Sequence, residues 1–267
     1  IQKHSQKQSI WYPSILGLFA FCILFSSVAV LPMSNGLPQV NSELSLFVPL
    51  LTLLFCQIGL GFLGLNSSNN VARLRGLRRI SQSFSGIVPV ILVFLIVGVR
   101  LGTFEWGQLV VTQGFWPHQW HALKDFILFI CFPIYLASGL VFINAPPFIS
   151  SEIQAELTGW PLGIYRLGNL YALFSWAICG VGIFLGGWQL PAFLQGQPYT
   201  GWLECGICFL KSMLIVILLS VGARVGPRLR TDHATNFVWS VVMPVSLLVF
   251  IFSLFLSLVS QPHLGGP

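Results

Sequence analysis

The chain has 267 residues, of which 55% are hydrophobic and only 7% charged, with a mean hydropathy of +0.83. A soluble globular domain carries several times more charge, so the composition excludes one and points to the bilayer. The net charge of +6 needs no nucleic acid to account for it, because basic residues in the loops of a membrane protein set its orientation.

Taken in chain order, the apolar runs long enough to cross a hydrocarbon core of about 30 Å, which takes roughly 20 helical residues, fall at 11–33, 44–65, 84–104, 125–144, 170–188, 207–222 and 237–260. The reading is all-α: a single polytopic membrane domain over residues 1–267 with about seven transmembrane helices, since backbone polar groups have no other partner in lipid. Lys3, Lys7, Arg73, Arg75, Arg78, Arg79, Arg166, Arg224, Arg228 and Arg230 fall on the side of the N-terminus, and Arg100 and Lys124 on the other. The positive-inside rule therefore places the N-terminus on the cytoplasmic or matrix side and the C-terminus outside. The four arginines within residues 73–79 suit anionic lipid headgroups or an acidic partner surface. Trp106, Trp116 and Trp120 predict that the segment 105–120 lies at the outer headgroup level. Residue 1 is Ile and no signal-peptide pattern follows it, which predicts processing, splitting or truncation upstream.

Chemistry of the chain's own is hard to find in this pattern. Cys205-Gly206-Ile207-Cys208 has dithiol spacing, which leaves open a multipass thiol oxidase or carrier, but Cys22, Cys56, Cys131 and Cys179 sit in the spans, where cysteine is a small packing residue. His118 and His121 have no acidic or cysteine partner at metal-ligand spacing, so no metal site is expected. No phosphate-binding glycine loop or Ser/His/Asp arrangement is present.

Four separated motifs carry a resemblance. They are Ser68-Asn69-Asn70 with Leu77-Arg78, Gln82 and Ser85; Asn144, Pro147 and Phe148 with Glu152 and Glu156-Leu157; Tyr171-Ala172-Leu173-Phe174 leading to Leu185-Gly186-Gly187-Trp188; and Lys211 followed by Pro227-Arg228-Leu229-Arg230, Asp232, Trp239 and Pro244. Together these resemble the arm-docking membrane subunit of complex I (NADH:quinone oxidoreductase), which is designated H in bacteria and 1 in mitochondria. The resemblance implies a subunit of the respiratory chain that docks the hydrophilic arm, forms part of the quinone site and binds no cofactor itself, the iron–sulfur clusters and flavin residing in partner subunits. It implies a bacterial, plastid or mitochondrial inner membrane as the location, and lipid, quinone and the other complex I subunits as partners. The residues it places at the quinone entrance or arm-docking face are Glu152, Glu156, Arg228, Arg230, Asp232 and Arg78. It also suggests that Lys211 pairs within the membrane; a position near the outer end of its span would equally let it snorkel.

The departures from that family matter as much. Where the family has Ser-Tyr-Glu, this chain has Ser85-Gly86-Ile87, and where it has Glu-Thr-Asn-Arg-x-Pro-Phe-Asp, the chain has Phe142-Ile143-Asn144-Ala145-Pro146-Pro147-Phe148-Ile149. Further family glutamates are replaced at Gln154, near Tyr165 and at Ile178. Intramembrane carboxylates cost at least about 2.5 kcal/mol each and are kept where they carry protons or pair, so their loss predicts poor proton conduction through this chain. The family has eight spans and this sequence begins just before the second, which predicts a separate chain for the first helix or a quinone site that no longer closes. A membrane anchor of an energy-converting hydrogenase-type complex and a purely structural paralogue stay open beside the first reading, as does the electron donor.

Overall fold

The computed structural model describes residues 33–34, 43–65, 70–145, 160–191, 194, 199–225 and 231–260. Among them the chain is helical and without strands. The elements are α1 (Val48–Leu65), α2 (Asn70–Leu101), the short α3 (Trp106–Val111) and α4 (His121–Lys124), α5 (Phe126–Phe142), α6 (Trp160–Phe184), α7 (Thr200–Val225) and α8 (Thr231–Phe237), which runs through a π-helical turn (Val238–Val242) into α9 (Met243–Ser260). Five stretches are long and apolar enough to cross a membrane: Ser45–Leu65, Asn70–Leu101, Leu162–Phe184, Thr200–Val221 and Asp232–Val259; Phe126–Phe142 is a shorter apolar helix. The chain is thus a polytopic helical membrane protein, and six of the seven expected spans coincide with these helices. The first, 11–33, lies outside the described residues except for Met33.

Several boundaries differ from the sequence reading: three helices start earlier than expected, at Trp160, Thr200 and Thr231, and two further differences have a local reason. The second described span begins at Asn70 rather than near residue 84, so Arg73, Arg75, Arg78 and Arg79 are helical. Hydrocarbon length dictated the expected start, but nothing between Asn70 and Phe84 breaks a helix, and the 32 residues of α2 measure about 48 Å at 1.5 Å per residue, well beyond the bilayer core. At the other end α6 stops at Phe184, not Trp188, because Gly186 and Gly187 take φ values of +80° and +45°. The Gly187 N–H then bonds back to Val181 O at 2.9 Å, a glycine C-terminal cap of the usual kind.

The helices are fixed relative to one another by small residues and by an ion pair at the end that the positive-inside expectation makes the outer one. Gly61 and Gly64 of α1 face Gly76 of α2, where a Cβ would come within 2.7 Å of Gly61 O. Gly86 lies against the backbone of α5, where a Cβ would be 2.6 Å from Phe142 N. Such close approach is how helices associate where lipid offers no hydrophobic drive. At the outer end Arg100 donates from Nε and a terminal nitrogen to Asp125 Oδ2 at 2.8 and 2.6 Å, while Asp125 Oδ1 accepts from Ile127 N–H and caps α5. The middle of the bundle is aromatic: Trp176 stacks on Tyr135 with ring centres 4.1 Å apart, and Tyr135 donates its hydroxyl to Trp176 O at 2.9 Å.

Lys211 illustrates the same economy on α7. Its helix starts at Thr200, so the lysine lies about three turns inside rather than near the span's end. Its ammonium donates to Leu185 O at 2.9 Å and Gly187 O at 3.2 Å and sits 5.3 Å from the centre of the Trp120 ring. It therefore complements the negative C-terminal end of α6 and ties α7 to it. Lys211→Met is expected to destabilise the purified chain by about 2 kcal/mol, the worth of a charge-assisted hydrogen bond in a half-buried place. A thermal melt indistinguishable from wild type would instead mean that the side chain merely snorkels.

Candidate functional site

The inner end of the bundle gathers the chain's most unusual polar cluster. α2 is buried along Ala72, Gly76, Arg79, Ser83, Gly86, Val90, Val93 and Val97, spaced alternately by four and three residues as on a coiled-coil seam. Arg79 belongs to that seam and is only 2% exposed, with Gln57, Gln82 and Ser83 wholly buried beside it. Its guanidinium donates to Tyr165 Oη at 2.7 Å, Gln57 Oε1 at 2.6 Å and Asn169 Oδ1 at 2.7 Å, and lies 5.0 Å from the centre of the Tyr165 ring. One side chain thereby joins α1, α2 and α6. All its acceptors are neutral, and no carboxylate among the described residues forms an ion pair with it.

The position of this cluster in the membrane follows from the helix itself. Arg79 precedes Arg100, the outer ion-pair residue, by 21 positions, which is about 31 Å of helix and close to the thickness of the hydrocarbon core. Arg79 therefore sits at the opposite boundary of the core from Arg100, the one expected to face inward, turned into the bundle rather than out to lipid. The expectation that all four arginines of 73–79 serve lipid or a partner is corrected for this one, because it occupies a core register. Arg78, one residue away, is exposed.

Asn144 completes the cluster. It ends α5 in a left-handed conformation, φ 56°, which asparagine tolerates better than most residues, and donates from Nδ2 to Ser83 Oγ at 3.0 Å. Ser83 in turn donates to Arg79 O at 3.0 Å. Several polar atoms here have no hydrogen-bond partner among the described residues: Arg79 Nε, Gln57 Nε2, both amide atoms of Gln82, Ser85 Oγ and Asn144 Oδ1. Buried groups of this kind ordinarily meet water or a ligand.

Towards the membrane centre the polar character stops. Ile87, Phe142 and Ile178, three positions where the resembled family has glutamate, are 5%, 0% and 1% exposed and share one apolar core with Trp176 and Tyr135. The remaining polar organisation is at the outer end, where buried Gln113 donates to Gly182 O and Ile183 O at 2.9 and 3.1 Å and accepts from Gly186 N–H at 2.7 Å. His121 packs under it, its ring within 3.1 Å of Thr112 Oγ1 and 3.2 Å of Leu109 O. Burial lowers the His121 pKa below the usual imidazole value, an effect reinforced by Lys124 and opposed by the Leu109 carbonyl and Asp125.

Of the residues singled out from sequence, Glu152, Glu156, Arg228 and Arg230 lie outside the described residues. Arg78 is exposed on α2, Asp232 is exposed in the first turn of α8, and Lys211 holds the end of α6. Among the described residues no three His, Cys, Asp or Glu side chains could hold a metal ion together. Cys205 is half-buried and Cys208 buried, both as free thiols.

A helical membrane bundle with a buried arginine cluster at one boundary and an organised polar cap at the other is thus the class of protein defined by the fold. The NADH dehydrogenase family matches residues 2–254, and the chain belongs to that family. Among its relatives, the H subunit of the NADH-quinone oxidoreductase of Anaeromyxobacter dehalogenans strain 2CP-C is 25% identical over 263 residues, covering 89% of this chain and 62% of that protein. The H subunit of the NADH-quinone oxidoreductase of Bacteroides fragilis strain ATCC 25285 is 28% identical over 259 residues, covering 92% of this chain and 70% of that protein. The chain spans 62% to 70% of the length of these relatives, and the family resemblance read from its motifs is borne out.

Proposed function

We propose that the chain is the membrane subunit of a complex I-like NADH:quinone oxidoreductase, that its inner face docks a hydrophilic arm and contributes to the quinone site, and that it carries no proton path of its own. The match over nearly the whole chain to relatives named as the H subunit of that enzyme supports the first part. Arg78 and Asp232, with Glu152, Glu156, Arg228 and Arg230, are the residues proposed for docking and the quinone entrance. Charge-assisted pairs across such an interface favour a specific partner.

The Arg79 cluster supports the last part. A guanidinium does not deprotonate in a protein, so it cannot relay a proton. Its fixed charge at the inner boundary opposes cation entry much as an arginine does in a water pore. Beyond it the family's carboxylate positions hold Ile87, Phe142 and Ile178, which cannot titrate. The cluster's unmatched donors, Gln82 Nε2 and Arg79 Nε, suit an acceptor-only group such as a quinone carbonyl.

Mild-detergent isolation of the tagged chain, mass spectrometry of what stays bound and a quinone-reduction assay test the proposal. Antiporter-like membrane subunits with iron–sulfur and flavin proteins should be recovered, and activity should fall on changing Glu152 or Glu156. Recovery with hydrogenase subunits would move the chain to a hydrogenase-type complex, and recovery alone would leave a structural paralogue.

A further inference from the structure

The outer cap holds a concavity that the docking and quinone proposals do not use. A cavity of about 450 Å³ opens between α3 and α4, lined by Thr112, Gln113, Gly114, His118, Gln119 and Lys124. Its floor is rigid, because Gln113 is bonded on both ends of its amide to the backbone of α6 and the turn after it. The lining contains a lysine, a histidine and amides but no carboxylate. The carboxylate next along the chain, Asp125, is already committed to Arg100 and to the α5 cap.

Next in sequence to the lining residues stand exposed apolar side chains: Val111, Leu123 and Phe126 are 60%, 55% and 73% exposed, and Trp116 is 58% exposed. Leu123 and Phe126 flank Lys124 and Asp125 at the start of α5, the level that the Arg100–Asp125 pair fixes as the outer end of the spans. A hollow lined by Lys124, His118 and Gln119, with exposed aliphatic and aromatic side chains next to it in sequence at headgroup depth, has the two-part chemistry of one amphiphile: an anionic head and acyl chains.

We infer that this cavity binds the phosphate-bearing headgroup of an anionic phospholipid from the outer leaflet, with Lys124 as its charged contact and Leu123 and Phe126 along its acyl chains. Gln119 supplies a neutral hydrogen bond to the head, and Trp116 lies in the belt where indoles are favoured. A lysine near an anionic lipid surface strengthens binding by about fivefold. The inference does not depend on the complex I reading, since it concerns only the outer cap.

Native mass spectrometry of the purified tagged chain, delipidated and titrated with phosphatidylglycerol, phosphatidylcholine or inorganic phosphate, tests it. The wild type is expected to retain one phosphatidylglycerol in preference to phosphatidylcholine. Lys124→Gln should weaken that preference about fivefold, Lys124→Arg should keep it, and Phe126→Ser should weaken retention of both lipids. Lys124 is exposed, so its variants should melt as the wild type does, and Leu123→Ser provides a second probe of the acyl contact. Equal retention of the two lipids by wild type, or an unaltered preference in Lys124→Gln, would overturn the inference. Displacement of the lipid by inorganic phosphate at comparable concentration, with no effect of Phe126→Ser, would replace it with a free-anion site.

Discussion

Arg79→Met is expected to lower the stability of the detergent-solubilised chain by about 3 kcal/mol, read as a fall of roughly 10 °C in the apparent melting temperature, whereas Arg78→Met should shift it by less than about 2 °C. The asymmetry between adjacent arginines is the point of the comparison. Arg79 is the common donor to Tyr165, Gln57 and Asn169, and methionine would strand two buried acceptors and a half-buried one. A stranded buried acceptor costs about 1 to 3 kcal/mol, and part of that is recovered because an uncompensated cation is no longer kept out of water. Arg79→Lys should be intermediate, since a single ammonium cannot reach three acceptors in the planar fork that a guanidinium offers. Equal effects at 78 and 79 would mean that the guanidinium is no cross-brace.

That contrast also shows how far the sequence was legible. The bilayer and the helices followed from composition and run length, because lipid permits so few backbone solutions. Arg79 did not follow, although its signal was present. The buried face of α2 advances through Ala72, Gly76, Arg79, Ser83, Gly86 and Val90 in steps of four and three, and Arg79 keeps that register whereas Arg78 falls outside it. An apolar-run count ends at the first charge, so it started this helix some fourteen residues late and assigned its arginines to a loop. Lys211 was misplaced for a related reason. Its partners are the backbone carbonyls of Leu185 and Gly187, and these become available only because two glycines with positive φ end α6 there. No side-chain pattern announces an acceptor made of main chain.

The glutamates missing from this chain are tied to packing, and a second prediction follows from that. Gly86 stands where the resembled family has tyrosine, next to Ile87 where it has glutamate, and a Cβ at Gly86 would lie 2.6 Å from the backbone nitrogen and 2.8 Å from the Cα of Phe142. Backbone cannot rotate aside as a side chain can. Gly86→Ala should therefore force α2 and α5 apart at the centre of the bundle, at a cost of about 2 kcal/mol or more, and Gly86→Tyr should leave no monodisperse protein on size-exclusion chromatography. Ile87→Glu alone keeps the helix contact but puts a carboxyl in a site 5% exposed among aliphatic and aromatic neighbours. Its expected cost is about 2.5 to 3.5 kcal/mol, which should yield folded but less stable protein. Restoring both family residues should not recover that loss, because neighbouring changes of this kind are not additive and the tyrosine still meets the α5 backbone. A well-behaved Gly86→Tyr, Ile87→Glu double variant with wild-type melting would show that the α2–α5 interface yields easily and that the carboxylate could be regained without repacking. Failure of the double variant where Ile87→Glu survives would identify the close Gly86–Phe142 approach as the feature that commits this bundle to an apolar centre.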